Sequence, residues 1–150
     1  MNINGIWKNL RSDGTLCTDM LLQYLQTQTN GVILLDGPGG CGKTSCLREL
    51  KNASDRQVFL FSYRDITDEI IRTKCNCQRY LRDLSEDNSI VCIEDVDYLS
   101  GREATQTLLS QMVQTAAERH LVILTGSNVQ MKTPIIFNTC GLDVFGNLKG

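Results

Sequence analysis

The stretch Asp36 to Ser45, "DGPGGCGKTS", constrains this chain more than any other. Few folds have a use for four glycines, a proline, a lysine and a threonine directly behind an apolar run such as "GVILL". The spacing (Gly37, four residues, then Gly42, Lys43 and Thr44) fits the phosphate-binding loop pattern G-x-x-x-x-G-K-[ST]. Glycines let the backbone adopt conformations closed to other residues and bring its N–H groups close around phosphate oxygens. A helix starting near Lys43 adds unpaired N–H donors and the positive end of its dipole. Lys43 is then placed to reach the outer phosphates, and the Thr44 hydroxyl to ligate Mg²⁺. Gly37, Pro38, Gly39, Gly40, Cys41, Gly42, Lys43, Thr44 and Ser45 are the residues expected to hold ATP or ADP. The competing reading is an ordinary glycine-rich turn. The strand-like "VILLD" before it and the helical "TSCLRELKNA" after it favour the phosphate loop.

At 150 residues the chain reads as one domain, residues 1–150. A domain of that size can bury about two-thirds of its unfolded surface. The formal net charge of −2 supplies no global field to draw nucleic acid or an anionic membrane, so any DNA contact has to be local. Seven cysteines lack a disulfide-framework pattern, and Cys41 lies inside the phosphate loop itself. Cys75 and Cys77 form a C-x-C pair with no second pair at zinc-ligand spacing, which points to free thiols in a reducing compartment. The start "MNINGIWKNLRSDG" is no signal peptide, and no apolar run approaches membrane-spanning length. The expectation is a cytoplasmic protein with no membrane partner.

After a lead-in containing Trp7, Thr18 to Gln28 reads as a short helix capped by Thr18, with Leu21, Leu22 and Leu25 as its apolar stripe. Strands are predicted at Val32–Asp36, Gln57–Ser62, Ser89–Asp95 and Leu121–Asn128, with a weaker fifth at Gly141–Gly146. Between the second and third lies a helical stretch, "DITDEIIRTKCNCQRYLRDLSED", with a break near Asn76. Ile66, Ile70 and Ile71 mark one face of it, and Tyr80, Leu81 and Leu84 another. "REATQTLLSQMVQTAAERH" reads as a long amphipathic helix burying Leu108, Leu109, Met112, Val113, Ala116 and Ala117. Strands alternating with helices imply an α/β fold, a parallel sheet with helices on both faces.

The third predicted strand ends in Glu94-Asp95. A carboxylate pair at the carboxyl end of a buried strand sits at the ligand crevice of an open α/β sheet. One acid can enter the Mg²⁺ shell while its neighbour orients and deprotonates the attacking water. Capping of the next turn, shared with Asp97, is the structural alternative. The fourth strand ends "TGSN", offering Thr125, Ser127 and Asn128 beside the acids, where one could bond the water or the γ-phosphate. Together these three features indicate a P-loop ATPase with an extra strand between the loop strand and the acid strand.

These residues also carry a resemblance. "VFLFSYRDITDEIIRTKCNCQRYLRDLSEDNSIVCIEDVDYLSG" resembles the middle of the AAA+ core of the bacterial replication initiator DnaA. "IVCIEDVDYLSG" and "VILTGSN" are also similar to its relative Hda. The similarity runs from about Thr18 to Phe145. It implies the AAA+ base subdomain, a five-stranded parallel sheet sandwiched by helices. Gly37 to Thr44 would be the ATP loop, Glu94 and Asp95 the Mg²⁺-binding and water-activating acids, and Ser127 or Asn128 the sensor residue. Partners implied are another AAA+ or replication protein and, less directly, single-stranded DNA.

The sequence departs from that family in several places. The first acid is Glu94 where the family usually has Asp, one methylene longer. Residues to Gly150 include neither the family's helical lid nor its helix-turn-helix domain, and no basic residue lies between Lys132 and Lys149, where the family carries an arginine reaching a neighbour's ATP. Asp65 to Glu86 holds four basic residues against five acids, which makes a solvated face a better reading than a DNA track. A family DNA-contact position falls on Arg102, but its companion falls on Ala104. The leading expectation is an ATP-binding module in replication initiation or its control, with slow hydrolysis. The alternatives are a kinase acting on a small acceptor, which would lack an arginine-rich lid, and an adaptor with a vestigial ATP site.

Overall fold

The computed structural model describes residues 2–3, 5–8, 29–36, 43–99, 101–126 and 138–139. In chain order they form β1 (Asn2–Ile3), β2 (Gly5–Lys8), β3 (Gly31–Asp36), α1 (Lys43–Ala53), β4 (Val58–Ser62), α2 (Tyr63–Arg72), β5 (Ile90–Glu94), α3 (Glu103–Ala116), β6 (Leu121–Gly126) and β7 (Asn138–Thr139). Two short 3₁₀ turns lie at Arg82–Leu84 and Val96–Leu99.

β5 and β6 are apolar along their length because both of their faces are covered: Ile90 to Ile93 and Leu121 to Gly126 are buried throughout. They form the middle of a five-stranded, all-parallel sheet ordered β2-β3-β6-β5-β4. β6 therefore lies between the loop strand β3 and the acid strand β5, as the predicted extra strand requires. The first four predicted strands are present, each within two residues of its expected ends. The sheet's remaining edge is Gly5–Lys8, in a segment read as a lead-in. It runs beside β3 with Trp7 opposite Leu35. The expected strand at Gly141–Gly146 and the helix at Thr18–Gln28 lie outside the described residues. β1 and β7 pair separately as a short two-stranded sheet.

Right-handed crossovers decide which helix covers which face. The step from β3 to β4 crosses the sheet one way, and the steps β4 to β5 to β6 return. This puts α1 on one face and α2 and α3 on the other. The packing agrees. Val32, Leu34, Val91, Ile93, Val122 and Leu124 meet Ile66 and Ile70 of α2 and Leu109, Met112, Val113 and Ala116 of α3 in one buried cluster. Ile33, Leu35, Cys92 and Ile123 alternate to the opposite face, and Leu47 and Leu50 of α1 are fully buried outside that cluster.

α2 begins where Ser62 caps it. The Ser62 hydroxyl accepts the Asp65 N–H (3.3 Å), and the Asp65 carboxylate accepts the Ser62 N–H (2.8 Å), forming a capping box. The helix ends at Arg72, earlier than predicted, through a Schellman closure. The Cys75 N–H bonds to Ile70 O (2.9 Å), and the Lys74 N–H to Ile71 O (3.2 Å). Lys74 and Cys75 take φ values of 52° and 69°, conformations that glycine occupies more cheaply. The predicted second half of this helix is not a helix. Turns and one 3₁₀ turn carry Cys77 and Leu81 into the core, with Tyr80 and Leu84 packed on its border.

The amino-terminal rim of the sheet is tied by side chains. The Arg56 guanidinium donates to the carbonyls of Asn88 (2.7 Å) and Thr29 (2.9 Å), joining the lead-ins of β3, β4 and β5. Burial pulls its pKa down from the ordinary value, toward a less firmly held proton. His120, fully buried, accepts the Ser89 N–H on Nδ1 (3.3 Å). Its ring proton therefore sits on Nε2 and is donated to the Arg82 carbonyl (2.8 Å). His120→Ala would orphan a donor and an acceptor and open a cavity. We expect a loss of about 2–4 kcal/mol, read as a lower urea midpoint at unchanged slope.

Candidate functional site

All strands of a parallel sheet end at one rim, and of the predicted site residues Glu94 and Asp95 lie there among the described ones. β3 ends at Asp36 and α1 begins at Lys43, so the loop Gly37 to Gly42 spans a strand end and a helix start, although its six residues lie outside the described set. Thr44 stands exposed in the first turn of α1, whose early N–H groups have no helical partner. Lys43 and Ser45 share that turn, but their side chains are not described.

Glu94 is the last residue of β5, half-buried, opposite Ser62 of β4 in register. Asp95 follows it, exposed, in the left-handed region at φ 62°. A non-glycine residue in that conformation is held there by its surroundings, and such residues concentrate at functional sites. Part of the hold is visible: the Asp95 N–H donates to the hydroxyl of Thr125 (3.3 Å), which is 1% exposed near the end of β6. Thr125 also sits opposite Leu35, next to the last residue of β3. The Thr125 hydroxyl is thus committed to the acid strand's backbone and is not an open polar group awaiting water. Thr125→Val, which keeps the shape but leaves the Asp95 N–H without this acceptor, should cost about 1 kcal/mol of stability, as measured by denaturant titration. Ser127 and Asn128 lie outside the described residues.

The turn after Asp95 is anchored by Gln106, fully buried on α3, whose amide donates to the Leu99 carbonyl (2.6 Å). The neighbouring aromatic pair was not foreseen. Tyr63, which follows β4, stacks on Tyr98, which follows Asp95, with ring centroids 4.9 Å apart and planes 15° apart. The Arg64 guanidinium lies 5.7 Å from the Tyr63 ring centre, and hydrogen bonding to the Tyr63 hydroxyl raises its pKa. Tyr98 is 61% exposed. The available signal was a tyrosine one residue past one predicted strand and another three residues past a second.

An all-parallel sheet with a loop-to-helix junction after β3, an acid pair after β5 and a strand between them defines the nucleotide-binding P-loop NTPase class. Residues 33–145 match the family AAA, "ATPase family associated with various cellular activities", and the chain belongs to it. It is 31% identical over 84 residues to the mitochondrial Lon protease homolog 3 of Arabidopsis thaliana, covering 49% of this chain and 9% of that protein. Among solved structures, domain III of the Thermotoga maritima replication initiation protein DnaA matches with TM-score 0.55 and 20% identity over 70% of this chain and 48% of that one. A replication initiator DnaA bound to AMPPCP and single-stranded DNA matches with TM-score 0.60 and 17% identity over 84% and 44%. These structural likenesses establish the fold, a DnaA-like AAA+ core. The chain spans less than half the length of each protein it was matched to here.

Among the described residues no cluster of three His, Cys, Asp or Glu side chains could hold a metal, and no helix is long and apolar enough to cross a membrane. Mg²⁺ needs no such cluster. It is commonly held by one or two carboxylates together with nucleotide phosphates, and the Glu94 and Asp95 carboxylates and the Thr44 hydroxyl are oxygen groups of the kind it takes.

Proposed function

We propose that this chain is a DnaA-like ATP-binding module that acts in DNA replication initiation or its control, through nucleotide-dependent contact with another AAA+ or replication protein. The observation that carries the reading is the Glu94-Asp95 pair at the end of β5, one strand removed from the strand that enters the glycine loop. The loop N–H groups and Lys43 bind and orient the phosphates. Thr44, Glu94 and Asp95 would hold Mg²⁺, which when bound supplies positive charge to the phosphate oxygens. Asp95, exposed and fixed by its backbone, is the group that positions water and takes its proton, and Ser127 or Asn128 the sensor beside it. Melting-temperature titration with ATP, ADP and Mg²⁺ tests the reading, because a ligand that binds only the folded chain raises apparent stability. No rise with any of them would leave the adaptor with a vestigial site.

The Tyr63–Tyr98 stack favours single-stranded DNA as one contact at the same rim. The exposed Tyr98 ring, backed by half-buried Tyr63 with the Arg64 guanidinium beside it, can accept a base by stacking, worth about 1–3 kcal/mol per base, without needing the basic track that the helical stretch lacks. Tyr98→Ala should weaken binding of an oligo-dT strand about tenfold in fluorescence anisotropy at fixed salt. An unchanged affinity would remove DNA from this surface.

A further inference from the structure

Two adjoining cavities, of about 370 and 450 Å³, run along the outer side of α2 and share Glu69, Arg72 and Tyr80. The first touches both Leu60 and Phe61, neighbours on opposite faces of β4, so it opens onto the edge of that strand. β4 is the last strand of the sheet. The Ile90 N–H bonds to Gln57 O (2.8 Å), so odd-numbered residues of this strand pair with β5, and Leu60 turns its own N–H and C=O outward. Among the described residues nothing pairs with them. Farther along, the Ser62 N–H is already taken by Asp65. Natural edges are commonly blunted with lysine, proline or a bulge, and Val58–Ser62, "VFLFS", contains neither residue.

The first cavity carries more acid than base, with Asp65, Asp68 and Glu69 against Arg72, and Arg64 lies within electrostatic reach of Asp68. Glu69 and Arg72 satisfy each other through a two-pronged pair, Arg72 Nε meeting Glu69 Oε2 at 3.0 Å. Asp68 forms no ion pair with a described residue, and Asp65 spends one carboxylate oxygen on the Ser62 N–H. The wall opposite them is aromatic, with Phe61 and Tyr80 edge to face at 6.0 Å, a surface suited to the alkyl stem of a long basic side chain.

We propose that the β4 edge is a docking site for an extended peptide segment of a protein partner. The segment pairs its backbone with Leu60 and places a Lys or Arg into the cavity beside Asp65 and Asp68. Main-chain pairing supplies affinity and the cavity supplies the side-chain preference. The inference is independent of the nucleotide site.

The test is selection from a phage-displayed library of random heptapeptides on the wild-type chain and on Asp68→Lys. Asp68 is exposed, and circular dichroism checks that the variant is folded. The proposal expects Lys or Arg enriched at one position for the wild type and lost, or replaced by Asp or Glu, for the variant. A selected peptide should shift the amide resonances of Leu60 and Phe61. Changing its basic residue to Glu should weaken binding at least about tenfold. No enrichment, the same consensus on both proteins, or shifts confined to other elements would overturn it.

Discussion

Lys43→Ala should abolish the rise in melting temperature that ATP produces while leaving the ligand-free melting temperature unchanged. Lys43 is the one cation in the glycine loop and stands at the first residue of α1, where the helix meets the loop. With ATP at about 100 times its dissociation constant, mass action adds about 2.7 kcal/mol to the folded state. For a domain of this size each kcal/mol moves the midpoint by about 2–4 °C, so the wild type should rise by about 5–11 °C. On the proposed reading the variant would keep the loop's backbone donors but lose the ammonium that answers the outer phosphates. Differential scanning fluorimetry of both proteins across an ATP series with Mg²⁺ decides the matter. An undiminished rise in the variant would take Lys43 out of the site.

Hydrolysis by the isolated chain should be slow, well below about 1 s⁻¹, the lower end of ordinary turnover. Negative charge on the transferred phosphoryl is stabilised in related systems by an added arginine worth about 10³–10⁵ in rate, or roughly 4–7 kcal/mol of barrier. No arginine follows Arg119 in the sequence, and Arg64 is engaged with the Tyr63 ring and hydroxyl. With Asp95 in the proposed role of positioning water, phosphate release should be measurable and should vanish in Asp95→Asn. Turnover near 1 s⁻¹ without a partner, lost in that variant, would show that an arginine reaches the site from within the chain. Stimulation by a partner would instead mark the chain as a switch completed in trans.

The strands that matter for the site were legible because their burial is simple. β5 and β6 are covered on both faces, so their apolar runs are unbroken, and the acids and polar residues that stop those runs mark the ligand rim. Gly5–Lys8 was not legible as a sheet edge: four residues carry no period, and their place follows from pairing with β3. The stretch after Arg72 misled for a different reason. Cys77 and Leu81 keep a helical spacing, yet Lys74 and Cys75 take left-handed backbone without a glycine to announce it. The Asp95 conformation was equally silent. Tyr63 and Tyr98 lie far apart in sequence and meet because Ser62 and Glu94 are in register. The roles of Gly37 to Ser45, Glu94, Asp95, Ser127 and Asn128 remain assignments made from sequence.

The two rims of the sheet divide the protein's obligations. Where the strands begin, Arg56 and His120 knot backbone carbonyls and amides from several segments together, and a change there is paid in folding. Where they end, Thr44, Asp95 and Tyr98 project from a frame already secured at its far end. Rigid frames of this kind tolerate replacement at the projecting positions. A few exposed residues at that rim, Tyr98 among them, could therefore change without disturbing the frame, and heredity could rewrite the surface the module presents while leaving how it folds alone.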